Sequence, residues 1–565
     1  MKIVVVVRDR RCDAVTPPHV ETSTGHDSWM ERHADPPRAP TRVPRREDRG
    51  RIGRRRRIAT RVDDRGCATR ERRESDETQT RTQTVRLDAS NSMTTPLNGD
   101  TINGAVVATE YAVRGPIVIQ AQQLERALEE GADLPFEKVV YCNIGNPHQL
   151  GQRPVTYYRQ VLAAIECEGV DGALPADVVA RANEYKSSIK GGTGAYSESK
   201  GVQVLRQRVA AGITKRDGHA ANPDDIYLTD GASAGCHYLM NILIRGSEDA
   251  VMCPIPQYPL YSAALTLYGG TLVPYYLDED RSWSMDVEHV KKQLNEARAN
   301  GKNVRAIVVI NPGNPTGNLL SDENLLDIAK FCADEKLLLI SDEVYQENVY
   351  AEGKTFTSMR KIVLDAGLEK RVALASFHST SKGFYGECGR RGGYMELVGA
   401  WDPDVVAAIL KLASIALCPN LAGQVVVSMV MDPPKEGEPS YELFCKERDD
   451  ILASLKRRSI ALGSALNALE GVTCQPSDGA MYCFPNLVFP QKYMDECKEA
   501  NKVPDVEYCT RLLNQTGIVT VPGSGFGQRP GTWHFRTTFL PSEEDIKGVA
   551  VKLTDFHNSF IAQYE

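Results

Sequence analysis

Four short apolar runs, each followed by polar residues, constrain the fold of this chain more than any other feature. The runs lie at residues 226–228, 305–310, 337–340 and 371–375. Apolar residues recur with the period of a helix in the segments between them, as at Cys236, Leu239, Met240 and Leu243. Strands that alternate with helices predict a mostly parallel sheet with right-handed crossovers and helices packed against it. The sequence therefore indicates an α/β fold.

The polar clusters after these runs are expected to share one site, because ligands of open α/β sheets bind outside the carboxyl ends of the strands. The richest cluster, at residues 376–394, holds Lys382 among small hydroxyl residues and glycines, followed by Arg390 and Arg391. A lysine fixed at a strand end with little bulk around it suits a nucleophile, and the arginines suit an anion such as a phosphate. Taken alone, the stretch could also be a surface loop.

The other clusters supply what an aldehyde cofactor bound to a lysine would need. They contain a carboxylate for a ring nitrogen, a hydroxyl and an amide for a ring hydroxyl, an aromatic platform, and a helix start that favours an anion. In that order, the candidates are Asp342, Tyr345, Asn314, Tyr258 and residues 231–233. Each signal is weak by itself, so the prediction depends on their order and their shared position at strand ends.

Residues 1–92 differ in composition from the rest of the chain. They contain 22 Lys and Arg against 15 Asp and Glu, a net charge of +7. Because the whole chain has a net charge of −7, the remainder carries −14. An acidic body is a poor binder of nucleic acid. The first 92 residues show almost no apolar periodicity, and we expect them to be a disordered tail. The arginine-rich run at 45–57 could bind nucleic acid, but its interleaved acidic residues favour a solvated tail.

The length of 565 residues predicts two or three domains. We expect a disordered tail at 1–92, an N-terminal arm with the first part of a small domain at 93–200, a large cofactor-binding domain at 201–432, and a C-terminal small α+β domain at 433–565. Residues 442–469 have a largely helical pattern, and a final helix ends the chain.

The sequence also bears on location and metal binding. No apolar run approaches the roughly 18–20 residues that a membrane span needs, so we expect no membrane partner. No Cys-x-x-Cys spacing occurs, so no zinc knuckle is indicated and we expect no metal site. With no secretory signal, we expect the cysteines to be reduced thiols. We expect a cytoplasmic protein, with the mitochondrial matrix as the alternative, because the acidic residues in the tail differ from a transit peptide.

From about Tyr111 to Glu565, the chain resembles the alanine aminotransferases, within the fold-type I pyridoxal-phosphate enzymes. The motifs that carry the resemblance are Asn143-Ile-Gly-Asn-Pro147, Gly194-Ala-Tyr-Ser197, Asp230-Gly-Ala-Ser-Ala234, Ile255-Pro-Gln-Tyr-Pro-Leu-Tyr261, Asn311-Pro-Gly-Asn-Pro-Thr-Gly317, Ser341-Asp-Glu-Val-Tyr-Gln346, His378-Ser-Thr-Ser-Lys-Gly383, Pro522-Gly-Ser-Gly-Phe-Gly527 and His534-Phe-Arg-Thr-Thr-Phe-Leu540.

The resemblance implies a homodimeric enzyme that uses pyridoxal 5′-phosphate. Its substrates would be small amino and keto acids: it would transfer the amino group of L-alanine to 2-oxoglutarate by a ping-pong mechanism through pyridoxamine phosphate. A glutamate–glyoxylate aminotransferase shares the motifs and is the nearest alternative. A transcription regulator with an aminotransferase-like domain is the alternative from another class, but it needs a helix-turn-helix near the front, and residues 1–92 show none.

The resemblance also implies a role for each site residue. Lys382 would form the imine with the cofactor and transfer the proton at the substrate α-carbon. The other cofactor-binding roles are Asp342 at the ring nitrogen, Tyr345 and Asn314 at the ring hydroxyl, Tyr258 stacked on the ring, Ala232, Ser233, Ser379 and Arg391 at the phosphate, and Tyr196 at the phosphate of the neighbouring subunit. The substrate α-carboxylate would be bound by Arg536 and covered by the backbone at Gly145.

One position departs from the family pattern. Arg390 stands where the family commonly has Tyr or Gln, so two arginines compete for the phosphate. Aspartate aminotransferases have the arginine eight residues after the lysine, as Arg390 is, and alanine aminotransferases nine after, as Arg391 is. The surrounding Gly-Glu-Cys-Gly-x-Arg-Gly-Gly-Tyr pattern favours Arg391.

Overall fold

A seven-stranded sheet with helices on both faces forms the centre of the structure, a computed structural model that describes residues 97–99 and 101–564. The tail predicted at 1–92 lies outside the described residues. The α-helices, in chain order, are α1 (Gly104–Ala108), α2 (Pro116–Glu129), α3 (Thr156–Glu166), α4 (Ala176–Ser188), α5 (Gln203–Asp217), α6 (Ala232–Leu243), α7 (Leu260–Tyr268), α8 (Val287–Ala299), α9 (Asp322–Glu335), α10 (Met359–Asp365), α11 (Pro403–Ile415), α12 (Leu421–Met431), α13 (Tyr441–Asn467), α14 (Gln491–Glu499), α15 (Pro504–Thr516) and α16 (Glu543–Tyr564).

The strands in chain order are β1 (Val140–Tyr141), β2 (Ile226–Thr229), β3 (Asp249–Ile255), β4 (Thr271–Tyr276), β5 (Asn303–Ile310), β6 (Leu338–Asp342), β7 (Ala373–Ser379), β8 (Gly393–Gly399), β9 (Val472–Thr473), β10 (Tyr482–Cys483), β11 (Asn486–Leu487), β12 (Ile518–Val519), β13 (Val521–Pro522) and β14 (Phe535–Thr538).

The large sheet has the strand order β2-β8-β7-β6-β5-β3-β4. β8 runs antiparallel to both of its neighbours, and the remaining pairs are parallel. The expected mostly parallel sheet is confirmed, and the four apolar runs form β2, β5, β6 and β7. The register pairs Ile310 with Asp342 and Asp342 with Phe377. The carboxyl ends of three adjacent parallel strands therefore meet at one edge of the sheet.

Both faces of this sheet are covered by helices, as continuous apolar strands require. Alternate residues of β3, β5 and β6 pack on one side with α8, α9 and α10. The other residues of these strands pack on the opposite side with α6, α7 and α11. The helix α6 begins directly after β2, and its periodic residues Cys236, Leu239, Met240 and Leu243 are buried, as the pattern predicted.

The rest of the described chain forms two further large cores and a small one, which contains Val113, Trp283, Phe484, Val521 and Phe526. One large core contains residues of α3, α4, α5 and α12 together with β2. The other large core joins residues 117–142 to residues 455–564 and includes small sheets with the orders β1-β12, β10-β14-β13 and β11-β9. The predicted helical segment at 442–469 is confirmed as α13. The domain boundaries at residues 92, 200 and 432 stay predictions.

Three further findings concern the part of the chain that the structure describes. None of its helices is both long and apolar enough to cross a membrane. Its cysteines are all free. Within residues 97–99 and 101–564, no group of three or more His, Cys, Asp or Glu side chains could hold a metal ion.

Candidate active site

A cavity of about 480 Å³ opens at the carboxyl ends of β5, β6 and β7, beside the start of α6. It gathers side chains from polar clusters far apart in the sequence, as the sheet topology predicted. All the sequence-predicted site residues except Tyr196 line it: Gly145, Ala232, Ser233, Tyr258, Asn314, Asp342, Tyr345, Ser379, Lys382, Arg391 and Arg536. The cavity is therefore the candidate active site.

Lys382 presents the amine of the site. Its Nζ donates a hydrogen bond to the carbonyl oxygen of Gly145 at 2.9 Å and lies 5.7 Å from the centre of the Tyr345 ring. A Cβ atom on Gly145 would lie 2.7 Å from this Nζ and would also collide with the hydroxyl of Tyr482. The backbone at Gly145 thus closes over the amine at a distance that only glycine allows.

Asp342 presents a buried carboxylate. Its Oδ2 accepts a hydrogen bond from the Tyr261 hydroxyl at 2.8 Å, whereas its Oδ1 is buried and has no hydrogen-bond partner among the described residues. Burial raises the pKa of this carboxyl, although the bond from Tyr261, the N–H of Val344 and the charge of Lys382 act in the opposite direction. An unpaired buried carboxylate oxygen at the wall of a cavity is a site for a cationic or N–H donor group.

One end of the cavity is suited to an anion. It contains the first residues of α6, Ala232 and Ser233, whose N–H groups have no partner within the helix, together with Ser379 and Arg391. Arg391 donates to the carbonyl oxygens of Cys388 and Asp230, at 3.0 and 3.1 Å, which orients its guanidinium. Arg390 does not line the cavity, and its Nε lies 4.0 Å from the Glu387 carboxylate.

Arg536 is a buried cation on β14 at another wall of the cavity. Its Nη1 donates to Asn314 Oδ1 at 3.0 Å and its Nη2 to the carbonyl of Asn143 at 2.5 Å. The guanidinium carbon lies 4.2 Å from the centre of the Tyr482 ring and 4.6 Å from that of Phe526. Among the described residues, the guanidinium has no carboxylate partner, and its buried Nε has no hydrogen-bond partner. A buried cation in this state is a receptor for an anion.

Several residues of the cavity wall were not predicted from the sequence. Tyr482 is the most central: besides its contact with Arg536, its hydroxyl accepts a hydrogen bond from the Tyr345 hydroxyl at 3.1 Å. Burial alone would raise the pKa of Tyr482, but the charges of Lys382 and Arg536 lower it, and the net direction is downward. Tyr482 pairs with Thr538, two residues from Arg536, and this pairing of two short segments is visible only in the structure.

Tyr111 and Arg114 are two further wall residues that the sequence analysis did not identify. The hydroxyls of Tyr111 and Tyr258 are 2.5 Å apart, and their rings meet edge to face. Burial raises the pKa of Tyr258 well above its usual value, and the nearby Tyr111 adds to this shift. The phenol of Tyr258 is therefore neutral and held in place at the cavity wall.

Tyr196 is the one predicted site residue that the structure leaves outside the cavity. Its side chain is 79% exposed. The resemblance assigned it to the cavity of a neighbouring subunit, and an exposed position in a single chain is compatible with that role.

Comparison with known proteins gives a consistent set of matches. The sequence model of the family "Aminotransferase class I and II" matches residues 162–553. Alanine aminotransferase 1, mitochondrial, of Arabidopsis thaliana is 52% identical over 478 residues, which are 83% of this chain and 88% of the relative. Glutamate–glyoxylate aminotransferase 1 of the same plant is 46% identical over 477 residues, 83% of this chain and 97% of the relative. Among solved structures, the alanine aminotransferase from Pyrococcus furiosus superposes with a TM-score of 0.65 and 26% identity, covering 81% of this chain and 100% of that chain.

Proposed function

The chain belongs to the class I and II aminotransferases, and from that premise we propose that it transfers the amino group of L-alanine to 2-oxoglutarate, giving pyruvate and L-glutamate. The observation that carries the proposal is the cavity itself. There an amine, a buried carboxylate with one oxygen lacking a hydrogen-bond partner among the described residues, and a buried guanidinium lacking a carboxylate partner among them face one space. The choice of alanine is supported by the name of the Arabidopsis relative that is 52% identical.

The residues present fit pyridoxal 5′-phosphate. Asp342 Oδ1 lacks a hydrogen-bond partner among the described residues and would accept one from a protonated ring nitrogen. Tyr345 and Asn314 would hold the ring hydroxyl, Tyr258 would stack on the ring, and Ala232, Ser233, Ser379 and Arg391 would bind the phosphate. When bound, the cofactor supplies an aldehyde that condenses with amines and a ring that withdraws electrons from the carbon next to the nitrogen.

The protein's own part in the reaction is to position the substrate and to move one proton. Arg536 binds the α-carboxylate, because this anion supplies the charge that the buried guanidinium lacks in the described chain. The rings of Tyr482 and Phe526 exclude water from that contact and strengthen it. Lys382 Nζ removes the proton from the substrate α-carbon, and the Gly145 carbonyl, 2.9 Å away, holds the amine in place for this transfer.

The lysine assignment can be tested directly. Borohydride reduction of the protein with bound pyridoxal phosphate, followed by peptide mapping, should label Lys382. Lys382→Ala should retain weak cofactor binding through the phosphate contacts but lose transamination, whereas Lys215→Ala, which removes an exposed lysine away from the cavity, should behave like the wild type. A label on another lysine would contradict the assignment.

A glutamate–glyoxylate aminotransferase is a second candidate, and the 46% identical relative of that name favours it. The two candidates differ in their amino donor and acceptor. The purified holoenzyme should be assayed with alanine plus 2-oxoglutarate, following pyruvate, and with glutamate plus glyoxylate, following glycine. A higher kcat/KM for the first pair supports the proposal, and a higher value for the second pair replaces it.

The proposal includes a homodimer in which Tyr196 completes the partner's phosphate site. Subunits carrying Lys382→Ala and Tyr196→Ala can be co-expressed with different tags and isolated as a mixed dimer. If Tyr196 acts across the interface, one cavity of the mixed dimer carries both substitutions and the other carries none, so half of the wild-type activity returns. If it acts within its own chain, every cavity keeps one substitution and this recovery is absent.

We place the protein in the cytoplasm, because the acidic residues of the first 92 positions differ from a transit peptide. The mitochondrial matrix is the alternative, and the Arabidopsis relative with a mitochondrial name supports it. Fractionation of the source cells, with antibody detection of the protein, distinguishes the two compartments.

A further inference from the structure

Glutamate and 2-oxoglutarate carry a charge for which none of the cavity residues has been assigned as a partner so far. Glutamate and 2-oxoglutarate have a second carboxylate at the end of the side chain, where alanine and pyruvate have a methyl group. Three of the cations that line the cavity already have roles, namely Lys382 at the reacting carbon, Arg391 at the phosphate and Arg536 at the α-carboxylate. If the proposed function holds, the distal carboxylate needs a further cation.

Among the residues that the structure describes, Arg114 is the remaining cation of the cavity wall. It lies in the 3-10 turn Ala112–Arg114, and its side chain is exposed, so it belongs to the open mouth of the cavity. Its guanidinium forms no hydrogen bond or ion pair with other residues in the described part of the chain. We propose that Arg114 binds the distal carboxylate of glutamate and 2-oxoglutarate, and that it thereby determines the five-carbon substrate of this enzyme.

The turn that carries Arg114 is anchored against the substrate end of the cavity. Val113 is buried in a small core with Phe526, the ring that also lies 4.6 Å from the Arg536 guanidinium. On the other side, Tyr111 is hydrogen-bonded to Tyr258 at 2.5 Å. Val113, the residue before Arg114, therefore packs in the same small core as Phe526, the ring next to the Arg536 guanidinium.

The exposure of Arg114 explains how one cavity can accept both alanine and glutamate. A buried cation without a partner is costly, so a buried second arginine would disfavour a substrate with a methyl side chain. At the mouth, water solvates the guanidinium whenever alanine or pyruvate is bound, and the long side chain moves aside at little cost. When a five-carbon substrate is bound, the planar guanidinium can pair with the carboxylate through two parallel hydrogen bonds.

The test compares single turnovers of the holoenzyme with alanine and with glutamate separately, and of its pyridoxamine phosphate form with pyruvate and with 2-oxoglutarate separately. For Arg114→Gln, we expect kcat/KM for glutamate and 2-oxoglutarate to fall about 10- to 100-fold, the range of one hydrogen-bonded charge. The values for alanine and pyruvate should fall less than about threefold. Arg114→Lys should recover part of the loss, because it keeps the charge but not the fork. Arg126→Gln, which removes an exposed arginine of α2 outside the cavity, is the matched control.

Binding of unreactive acids gives a readout that does not depend on turnover. Glutarate has the two carboxylates of glutamate at the same chain length, and pentanoate has only one. The wild type and Arg126→Gln should bind glutarate more tightly than pentanoate, and Arg114→Gln should bind the two alike. An unchanged glutarate preference in Arg114→Gln would overturn the inference, as would equal losses for alanine and glutamate. A wild-type enzyme that does not turn over alanine would instead overturn the proposed function, whatever Arg114→Gln shows with glutamate.

Discussion

Replacing Gly145 with alanine should damage catalysis far more than folding. The added Cβ would lie 2.7 Å from Lys382 Nζ, where ordinary contacts begin near 3.4 Å, and would collide with the Tyr482 hydroxyl. The backbone at Gly145 does not have a positive φ, so alanine adds no backbone strain. The two side chains must move instead. Lys382 can move easily, but the Tyr482 ring is buried between its contacts to Arg536 and Tyr345.

The expected losses of stability and of activity depend on which atoms move. Overpacking of this size costs about 1–3 kcal/mol of stability, which lowers the melting temperature by a few degrees. In the proposed mechanism, however, the displaced atom is the one that transfers the proton, and a shift of about 1 Å at a reacting group costs about 10²-fold in rate. We therefore expect kcat/KM for alanine to fall about 100-fold, equivalent to about 2.7 kcal/mol in the barrier.

The assay is steady-state pyruvate formation at saturating 2-oxoglutarate, with thermal melting of the same samples. Gly548→Ala is the matched control: it makes the same chemical change on α16, where a Cβ would meet no atom within 4 Å. This control should keep full activity and equal or exceed the wild-type melting temperature, because alanine favours a helix. A Gly145→Ala enzyme within threefold of the wild type would show that the backbone does not confine the amine in this way.

Three further predictions follow from single groups in the structure. Arg536→Lys should lower kcat/KM at least about 100-fold in both half-reactions, because lysine lacks the planar fork and leaves the contacts to Asn314 and Tyr482 unmade; an unchanged value in either half-reaction would contradict the assignment. Arg391→Ala should weaken pyridoxal phosphate binding more than Arg390→Ala, since only Arg391 lines the cavity; a cofactor titration with the reverse order would indicate the aspartate-type spacing. Burial and the charge of Arg216 lower the pKa of His378 to about 3. The folded state therefore excludes a proton that the unfolded chain binds below about pH 6.5, so the stability of the folded state falls as the pH drops below about 6.5. Melting curves between pH 7.5 and 5 should therefore show a steeper loss for the wild type than for His378→Asn, by up to about 1.4 kcal/mol per pH unit, and parallel pH dependences would refute this.

Much of the candidate site could be predicted because it depends on local sequence and on one rule of topology. Asp342, Ser379 and Lys382 each follow or end an apolar run, and parallel strands bring such ends to the same edge. Ser233 belongs to the first turn of a helix that directly follows a strand, and this also leaves a trace in the sequence. The position of Arg391 in the cavity agrees with the sequence-based preference over Arg390, although its role at the phosphate stays a prediction.

The cavity residues that the sequence did not predict depend on contacts between segments that are far apart in the chain. Tyr482 lies in the two-residue strand β10. This strand pairs with β14, which carries Arg536 and lies more than fifty residues further along the chain. Tyr111 and Arg114 precede α2, and Val113 between them is held by Trp283, Phe484, Val521 and Phe526, from segments that are distant in sequence. Neither the hydrophobic periodicity of one segment nor a motif within it indicates such a contact.

The amino-acid sequence by itself determined the α/β class and placed Lys382, Asp342 and the start of α6 at one edge of the sheet, because hydrophobic periodicity and strand-end chemistry are local properties. Only the tertiary structure decided the substrate side of the cavity. There Tyr482 stacks on Arg536, the Gly145 carbonyl meets Lys382, and the exposed Arg114 lines the cavity wall. These contacts join residues tens to hundreds of positions apart, so they arise when the cores form and cannot be deduced from any one stretch of the chain.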